Sequence, residues 1–475
     1  MKKILAYSII ILLQLSASAQ KREADIIITG AHIIDIGSGN IINSKLVIIK
    51  SGIIIAVEDN TKLNRYTAGT VVDAADKYII PGLWDMHVHF GGGDTLIEEN
   101  KNLLPLYIAN GITTVRDASA DLSQYVLQWR TAIDEGKLTG PRIFTSGPKL
   151  EGYKSIWIGD LEVGTIEEMK AAMDSLQKIK VDFIKITDNT IRPDIYLAAI
   201  REANKRGLKI SGHVPYSLTM KEVTEAGLSS VEHLGYALKA GIANEKQLAE
   251  KIVAGTLTNR NATPLILENF NEDTAMSIYK LMAKYGTAVT PTLSISYITS
   301  YLDKDDHHND DYLQYIGKGL RRTYDWRVQR AAQDSKEAIE LRHRVFEKSA
   351  SLLPLLHKAG VTILAGTDAG YLNSFDYPGI GLHLELEMMV KYGLTPLQAL
   401  QASVINGPAF FKQSNRYGSI EKGKRADILI LNNNPLQNIA ASREINAVIV
   451  NGNFFNRQML DKLQVEIKAK AAAGN

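Results

Sequence analysis

The middle of the chain alternates short apolar runs with longer segments in which apolar residues recur at helical spacing. The short runs are rich in β-branched residues, so we predict that they are strands. Eight such strands are expected, at 79–89, 111–118, 142–146, 181–187, 208–213, 229–234, 287–293 and 361–368. Helices are predicted between them, for example at 165–179, where Thr165 can cap the N-terminus, and at 194–206, where Gly207 ends the helix.

Strands that alternate with helices in this way indicate an α/β protein. We predict a (β/α)8 TIM-like barrel over residues 81–414, because a count of eight strands favours it over a doubly wound open sheet. Residues 295–345 form a long insertion before the last strand. Its acidic run, 303–311, is typical of a solvated loop, with a second metal site as the alternative. The nearby tyrosines and Trp326 suggest a lid over the barrel mouth.

The residue pattern near both ends of the chain differs from that of the middle, because it predicts short strands and glycine-containing turns. Residues 24–80 contain several such strands. The same pattern returns after a turn at 418–424, with strands at 426–431 and 447–452. We therefore predict one small β-sandwich domain, built from residues 20–80 and 415–460, beside the barrel.

The first 19 residues have the pattern of a secretory signal peptide. Lys2 and Lys3 precede the apolar stretch 4–15, and the small residues at 17–19 fit a cleavage site. A membrane anchor is the alternative, but the stretch is shorter than the roughly 20 residues of a spanning helix. We expect a periplasmic or secreted protein with no stable membrane anchor after cleavage.

The composition narrows the choice of partners. The formal charge of the 475-residue chain is +2, and it falls to zero without the two lysines of the first 19 residues. The chain has no surplus of basic residues, so its charge gives no reason to expect binding to nucleic acid or to an anionic membrane. The chain has no cysteine, which excludes disulfides and thiolate chemistry. A small-molecule substrate is the expected partner, and assembly into a homo-oligomer stays open.

Side chains that bind metals fall at the ends of the predicted strands. His87 and His89 end the first strand, and residues two apart on a strand point to the same side, so both can reach one ion. His213, His233 and Asp368 end the fifth, sixth and eighth strands. The active site of a (β/α)8 barrel lies at this rim. Imidazole and carboxylate together suit zinc or a similar divalent ion.

Lys185 lies late in the fourth predicted strand, between apolar neighbours. Burial of an ammonium group is costly and lowers the lysine pKa, so the neutral amine becomes more populated. A neutral amine can add carbon dioxide and form a carbamate, whose two oxygens can bridge two metal ions. The alternative is an ammonium paired with Asp368 or another acid. The residues alone leave both interpretations open.

Several motifs can be read along the chain at these positions. They are Pro-Gly-Leu-Trp-Asp-Met-His-Val-His at 81–89, Gly-Ile-Thr-Thr-Val-Arg-Asp at 111–117, Phe-Ile-Lys-Ile at 183–186, Gly-His at 212–213, Glu-His at 232–233, Gly-Thr-Asp at 366–368 and Gly-Ser-Ile-Glu-Lys-Gly-Lys-Arg-Ala-Asp at 418–427. Together they resemble the amidohydrolase superfamily of metal-dependent hydrolases. The similarity is greatest to the branch with imidazolonepropionase-like proteins and Xaa-Pro dipeptidases (prolidases).

The resemblance implies a binuclear centre with two divalent metal ions, for which zinc is the expected element. His87, His89 and Asp368 would hold the first ion, and His213 and His233 the second. Lys185, N6-carboxylated as a carbamate, would bridge the two. The imidazolonepropionase subgroup works with one metal and lacks this lysine, so Lys185 separates the two subgroups.

The implied reaction is hydrolysis of an amide C–N bond, in which a hydroxide held between the two ions attacks the carbonyl carbon. Asp368 would take the proton and deliver it to the leaving nitrogen. An Xaa-Pro dipeptide or an N-acyl amino acid is the expected substrate. The alternatives are a cyclic amide hydrolase or deaminase with one metal and, in another class, a non-catalytic binding protein.

Two departures from the prolidase pattern fall where a substrate would lie. Residues 147–153 contain no histidine, and Val214-Pro215-Tyr216 replaces a glycine-rich turn after His213. Tyr216 is a candidate hydrogen-bond donor to the substrate, and the alternative is a surface tyrosine.

Overall fold

The computed structural model describes residues 21–119 and 121–474. The predicted signal peptide, residues 1–19, lies outside the described residues. Within the described part, every helix is too short or too polar to cross a membrane.

The described residues form eighteen strands and sixteen α-helices. The strands are β1 (Arg22–Ile34), β2 (Ile41–Lys50), β3 (Ile53–Asp59), β4 (Tyr66–Asp73), β5 (Tyr78–Pro81), β6 (Leu83–His89), β7 (Ile112–Asp117), β8 (Arg142–Thr145), β9 (Leu150–Glu151), β10 (Leu161–Glu162), β11 (Phe183–Ile186), β12 (Lys209–Gly212), β13 (Ser230–Glu232), β14 (Ala288–Thr290), β15 (Ala369–Gly370), β16 (Ile428–Leu431), β17 (Ile445–Val450) and β18 (Asn453–Asn456).

The helices are α1 (Ile97–Ala109), α2 (Ser123–Asp134), α3 (Ile166–Lys178), α4 (Pro193–Lys205), α5 (Met220–Ala226), α6 (Glu245–Val253), α7 (Asn259–Glu268), α8 (Glu272–Tyr285), α9 (Leu293–Ser300), α10 (Lys318–Ala332), α11 (Lys336–Ala350), α12 (Leu353–Lys358), α13 (Ile380–Lys391), α14 (Pro396–Val404), α15 (Asn406–Phe410) and α16 (Arg457–Ala473). Short 3₁₀ helices lie at Asn60–Arg65, Asp94–Leu96, Leu234–Gly241, Asp311–Tyr315 and Ile439–Arg443.

The helix ends that the sequence predicted at Thr165 and Gly207 are found in the structure. The hydroxyl of Thr165 accepts a hydrogen bond from the backbone of Glu168 at 3.1 Å, and the carboxylate of Glu168 accepts one from the backbone of Thr165 at 3.0 Å. This reciprocal cap starts α3 where it was predicted. Gly207, which follows α4, adopts a positive φ of 71°, as a glycine after a helix commonly does.

The two ends of the chain build one mixed sheet of eight strands, in the order β18-β17-β16-β5-β1-β2-β3, with β4 beside β1. β1 pairs with β2 along one edge and with β4 and then β5 along the other. Register shifts after Ile28 and Ala31 bend β1, so a single curled sheet replaces the two stacked sheets of the predicted sandwich. Its two arms share an apolar core that includes Val47 and Ile430. The domain limits 20–80 and 415–460 stay a prediction.

The prediction of one continuous first strand over 79–89 is wrong. The chain divides at Gly82, so that β5 pairs with β16 in the end sheet and β6 pairs with β7 in a parallel sheet. A Cβ atom at position 82 would collide with the side chain of Thr113. The glycine therefore allows the backbone to pass from one sheet to the other.

Two parallel sheets occupy the middle of the chain, in the orders β15-β6-β7-β8 and β10-β9-β11-β12-β13-β14. Backbone hydrogen bonds join them at both sides. The amide of Asp182 donates to the carbonyl of Thr145 at 2.9 Å, and the amide of Met86 donates to the carbonyl of Ala365 at 2.8 Å. The α/β class is confirmed.

The eighth predicted strand, 361–368, is not a regular strand. Among the described residues it makes one isolated bridge, between Ile363 and Val289, and the short strand β15 begins only at Ala369. The amide of Leu364 also donates to the carbonyl of Val289 at 2.9 Å. Because only these few groups pair with β14, the segment follows the sheet without forming a full ladder.

The insertion 295–345 is mostly helical, since it takes in most of α9 and α11 and all of α10. Its acidic run, 303–311, is mainly exposed, as predicted for a solvated loop. His307 stacks on Phe375 with 5.0 Å between the ring centroids. In the described part of the chain, the one group of three acidic or histidine side chains placed to hold a metal lies elsewhere. Closure of the insertion over the site stays a prediction.

Candidate metal centre and active site

Three of the predicted ligands meet at the carboxyl end of β6. The Nε2 atoms of His87 and His89 are 3.2 Å apart. Oδ1 of Asp368 lies 2.7 Å from Nε2 of His89 and 3.2 Å from Nε2 of His87. Asp368 has a positive φ of 80°, a strained conformation for a residue with a Cβ atom and one found at functional sites. The three side chains can hold one metal ion.

His213 and His233 form a second pair beside this group. Their Nε2 atoms are 3.0 Å apart, and the ring centroids of His233 and His87 are separated by 5.0 Å. His213 follows β12 and His233 follows β13 directly. Neighbouring parallel strands end at the same edge, which explains why residues 20 positions apart in sequence meet here.

The other ring nitrogen of each histidine faces an oxygen atom. Such contacts place the proton on Nδ1 and leave the lone pair of Nε2 pointing into the site. The distances from Nδ1 are 2.6 Å for His87 to Oε2 of Glu232, 3.5 Å for His89 to the carbonyl of Ser119, 3.3 Å for His213 to Oδ1 of Asp188 and 2.8 Å for His233 to Oγ1 of Thr292. Burial lowers the pKa of His89 to about 4, which favours the neutral imidazole that a metal requires.

Glu232 is held in turn by Arg116, a fully buried residue that sequence reasoning did not single out. Nη2 of Arg116 lies 2.7 Å from Oε2 of Glu232, and Nη1 donates to Oγ of Ser211 at 3.0 Å. Burial raises the pKa of Glu232, but the charge of Arg116 and the contact with His87 outweigh this and hold the pKa well below its usual range. The available signal was an arginine within the predicted strand 111–118.

Lys185, on β11, points into the same cluster. Its Nζ atom is buried and has no hydrogen-bond partner among the described residues. No carboxylate of the described chain lies within ion-pair distance, so the alternative of a paired ammonium is not what the structure shows. Burial lowers the pKa of Lys185 to about 8, against the raising effects of Glu232 and Asp368. An unpartnered amine among four inward-facing Nε2 atoms fits a site for divalent ions.

A cavity of about 100 Å³ opens above these residues. Five predicted ligands line it, together with eight further residues; they are His89, Lys185, His213, His233 and Asp368, and then Ser119, Lys149, Trp157, Thr187, Arg327, Tyr371, Leu372 and Asn373. Tyr216 is not among the lining residues of the described chain. Its hydroxyl lies 3.5 Å from Oγ1 of Thr263, and its role toward a substrate stays a prediction.

Arg327 reaches the cavity from α10, within the insertion, and was also missed from the sequence. Its Nε atom donates to the carbonyl of Leu372 at 2.9 Å, and Nη2 donates to Oδ1 of Asn373 at 2.6 Å. Both partners are neutral, and within the described residues no carboxylate lies within 4 Å. Lys149 differs, because its Nζ atom pairs with Oδ1 of Asp160 at 2.6 Å. Arg327 therefore brings an uncompensated positive charge to the cavity.

A profile of the Amidohydrolase family matches residues 78–455. The chain belongs to this family. It is therefore a hydrolase that acts on C–N bonds such as amides, in a family that uses divalent metal ions.

Known relatives agree in fold. Ochratoxinase from Aspergillus niger is 24% identical over 487 aligned positions, which cover 90% of this chain and 86% of that protein. The crystal structure of bottromycin amidohydrolase has a TM-score of 0.73 at 18% identity and covers 94% of this chain and 90% of that one. An Xaa-Pro dipeptidase with bound methionine in its active site has a TM-score of 0.66 at 20% identity, with 91% and 99% covered.

Proposed function

We propose that the protein is a binuclear metal-dependent hydrolase that cleaves the amide bond of an N-acyl amino acid or a dipeptide with a free carboxylate. The observation that carries this proposal is the uncompensated charge of Arg327 beside the cluster of His89 and Asp368. A guanidinium whose partners are neutral can still bind a carboxylate with charge-assisted hydrogen bonds. The similarity to an Xaa-Pro dipeptidase supports the same substrate type.

We also infer a closed (β/α)8 barrel as the scaffold. The hydrogen bonds from Asp182 to Thr145 and from Met86 to Ala365 support a ring that joins both parallel sheets. The segment 361–368 would complete this ring as its eighth member. A periplasmic or secreted location is proposed from the N-terminal sequence alone.

The donor set fits two divalent ions, with zinc as our proposal for the element. His87, His89 and Asp368 would hold one ion and His213 and His233 the other, with carboxylated Lys185 between them. The unpartnered Nζ atom of Lys185 supports this arrangement, since a free buried amine is otherwise costly. When bound, such ions supply Lewis acidity toward the scissile carbonyl and acidify water near neutral pH.

The chain itself binds the substrate and moves the proton. Oδ2 of Asp368 has no hydrogen-bond partner among the described residues, so it is free to accept a proton from the attacking water. Burial raises the pKa of Asp368, but His233, His87 and His89 together hold the pKa well below its usual value, so the carboxylate is ionised. The proton then passes to the leaving nitrogen.

The experiment compares acids with their neutral analogues. Zinc-loaded protein should hydrolyse N-acyl amino acids, and metal analysis should give about two ions per chain. Arg327→Met should raise KM for the acids about 10–100-fold, the loss expected for one charge-assisted hydrogen bond, and change KM for the corresponding carboxamides far less. Arg322→Met, an exposed arginine of the same helix, is the matched control. An equal effect on acids and carboxamides, or a single ion per chain, would contradict the proposal.

A further inference from the structure

Two tryptophans from separate parts of the chain meet at the mouth of the catalytic cavity. Trp157 lies in the segment between β9 and β10 and lines the cavity, and Trp326 lies on α10 next to Arg327. Their ring centroids are 6.0 Å apart and their planes make an angle of 75°. This edge-to-face contact is an ordinary aromatic interaction, but it stands at the opening of a site and not in a core.

The two isoleucines next to Trp157 in sequence and Trp326 itself face solvent, and the guanidinium groups of Arg327 and Arg330 lie over the ring of Trp326, 5.7 Å and 4.5 Å from its centroid. Ile156 is 65% exposed, Ile158 is 68% exposed and Trp326 is 40% exposed. Single exposed apolar residues are common, whereas several together beside a functional cavity mark a binding surface. We call Ile156, Trp157, Ile158 and Trp326 the apolar rim.

The segment that carries three of these residues is held in place. Oδ1 of Asp160 pairs with Nζ of Lys149 at 2.6 Å, and Oδ2 of the same carboxylate accepts a hydrogen bond from the hydroxyl of Ser155 at 2.5 Å. Nζ of Lys149 also lies 5.5 Å from the ring centroid of Trp157. The rim is thus a formed surface with defined side-chain positions, which lowers the entropic cost of binding a rigid group.

The size of the cavity shows why a substrate must touch the rim. A volume of about 100 Å³ is below the roughly 300–1,000 Å³ of ordinary small-molecule sites. The space suffices for the scissile amide and the attacking water near Asp368. A larger acyl group must extend beyond this space, and Trp157, which lines the cavity, and Trp326, which packs against Trp157, offer it an aromatic surface.

We infer that the acyl part of the substrate is bulky, apolar and aromatic, and that Trp157 and Trp326 are the residues that select it. The inference rests on the proposed function, because it identifies the group on the acyl side of the same amide bond. Arg327 binds the carboxylate of the leaving amino acid, and the apolar rim binds the ring system of the acyl group. Planar rings and indoles combine a large buried area with favourable edge or face contacts.

The test varies the acyl group and keeps the amino acid constant. Zinc-loaded wild-type protein is assayed with N-acetyl-, N-hexanoyl- and N-(2-naphthoyl)-L-alanine. We expect kcat/KM for the naphthoyl substrate to exceed that for the acetyl substrate at least 10-fold. Trp157→Ala and Trp326→Ala should each lower kcat/KM for the naphthoyl substrate about 10-fold, mainly through KM, and lower it for the acetyl substrate by a clearly smaller factor. Trp326→Phe should retain most of the selectivity.

Two further measurements test whether the selectivity comes from Trp157 and Trp326 themselves and not from a general effect of removing an aromatic side chain. Tyr285→Ala removes an exposed aromatic side chain outside the cavity and should leave the selectivity unchanged. Binding of 2-naphthoate to metal-free protein, followed by tryptophan fluorescence, should weaken in both Trp→Ala variants, and this readout needs no turnover.

Each outcome decides one of the two proposals. Equal kcat/KM for all three acyl groups, or losses in the Trp→Ala variants that are the same for all of them, would overturn the inference while the proposed function stands. Naphthoate binding without hydrolysis of any acyl amino acid would contradict the proposed function and support the rim. If Trp326→Ala instead abolishes a dimer seen by sedimentation and leaves selectivity unchanged, the rim binds a second copy and the inference is wrong.

Discussion

Nδ1 of His87 lies 2.6 Å from Oε2 of Glu232, and the same carboxylate oxygen lies 2.7 Å from Nη2 of Arg116. All three side chains are fully buried. A candidate metal ligand is therefore oriented by a carboxylate that is itself fixed by an arginine. A hydrogen bond from one ring nitrogen of a histidine to a fixed carboxylate determines that the other ring nitrogen is the one that can bind a metal.

Replacement of Glu232 by Gln should weaken metal binding about 10–100-fold, because the carboxamide holds the His87 tautomer less firmly. It also leaves Arg116 without a counter-charge, which should lower the free energy of unfolding by about 3–5 kcal/mol. Competition with a chromophoric chelator measures the first effect, and urea denaturation measures the second. Glu167→Gln on the exposed face of α3 is the control. Unchanged metal affinity in Glu232→Gln would show that the contact has no orienting role.

Lys185→Met should change stability and metal content in opposite directions. The free energy of unfolding of the metal-free protein should rise by about 1–3 kcal/mol, because an unpartnered buried amine is replaced by an apolar side chain. Bound metal should fall from two ions per chain to one or fewer, as measured by plasma mass spectrometry. Lys209→Met, on the neighbouring strand β12 and outside the cavity lining, should keep both ions.

The carbamate itself can be tested in Lys185→Ala, where the shortened side chain leaves room for a small acid. Added acetate or propionate should restore part of the metal content and activity. Wild-type activity of Lys185→Ala without any added acid would exclude a bridging role for this residue.

Glu385 makes stability dependent on pH. Burial and the charge of Asp85 raise the pKa of Glu385 to about 8, against hydrogen bonds from Leu293 and Ser294 that lower it. The neighbouring carboxyl of Asp376 has its own pKa raised by burial and by Glu385. The folded state thus retains a proton that the unfolded state loses near pH 4.5. Stability should fall as pH rises from about 5 to 8, by up to about 1.4 kcal/mol per pH unit.

Glu385→Gln removes this titration and should flatten the dependence over the same interval. Chemical denaturation at several pH values, with Glu387→Gln on the same helix as control, gives the comparison. If the free energy of unfolding depends on pH in the same way in wild type and in Glu385→Gln, Glu385 is already ionised in the folded protein.

Gly366→Ala should disturb the metal centre by sterics alone. A Cβ atom at this position would lie 2.8 Å from the backbone nitrogen of His87 and 2.6 Å from Cγ2 of Thr290. Overpacking of this kind commonly costs about 1–3 kcal/mol, and a shift of β6 should also reduce metal content. Gly69→Ala, in β4, meets only a backbone oxygen at 3.9 Å and should be nearly neutral. Equal thermal midpoints for the two variants would contradict the steric argument.

Local rules were enough for much of the secondary structure and for the position of the candidate ligands. The cap between Thr165 and Glu168 spans three residues, and His87 and His89 share a side because a strand alternates. In contrast, the largely apolar segment 79–89 reads as one strand, and only the pairing of β5 with β16 and of β6 with β7 reveals the division at Gly82. The partner of a strand depends on packing between distant segments, which periodicity does not contain.

The sequence by itself determined the α/β class, the family resemblance and the six candidate metal-binding residues, because motif spacing and strand ends are properties of short segments. Only the tertiary structure decided that Glu232 pairs with Arg116, that Arg327 lines the cavity and that Trp326 packs against Trp157. These residues are separated from their partners by about 45 to 170 positions. Whether such side chains meet depends on how whole helices and strands pack, and a single sequence carries no direct record of those contacts.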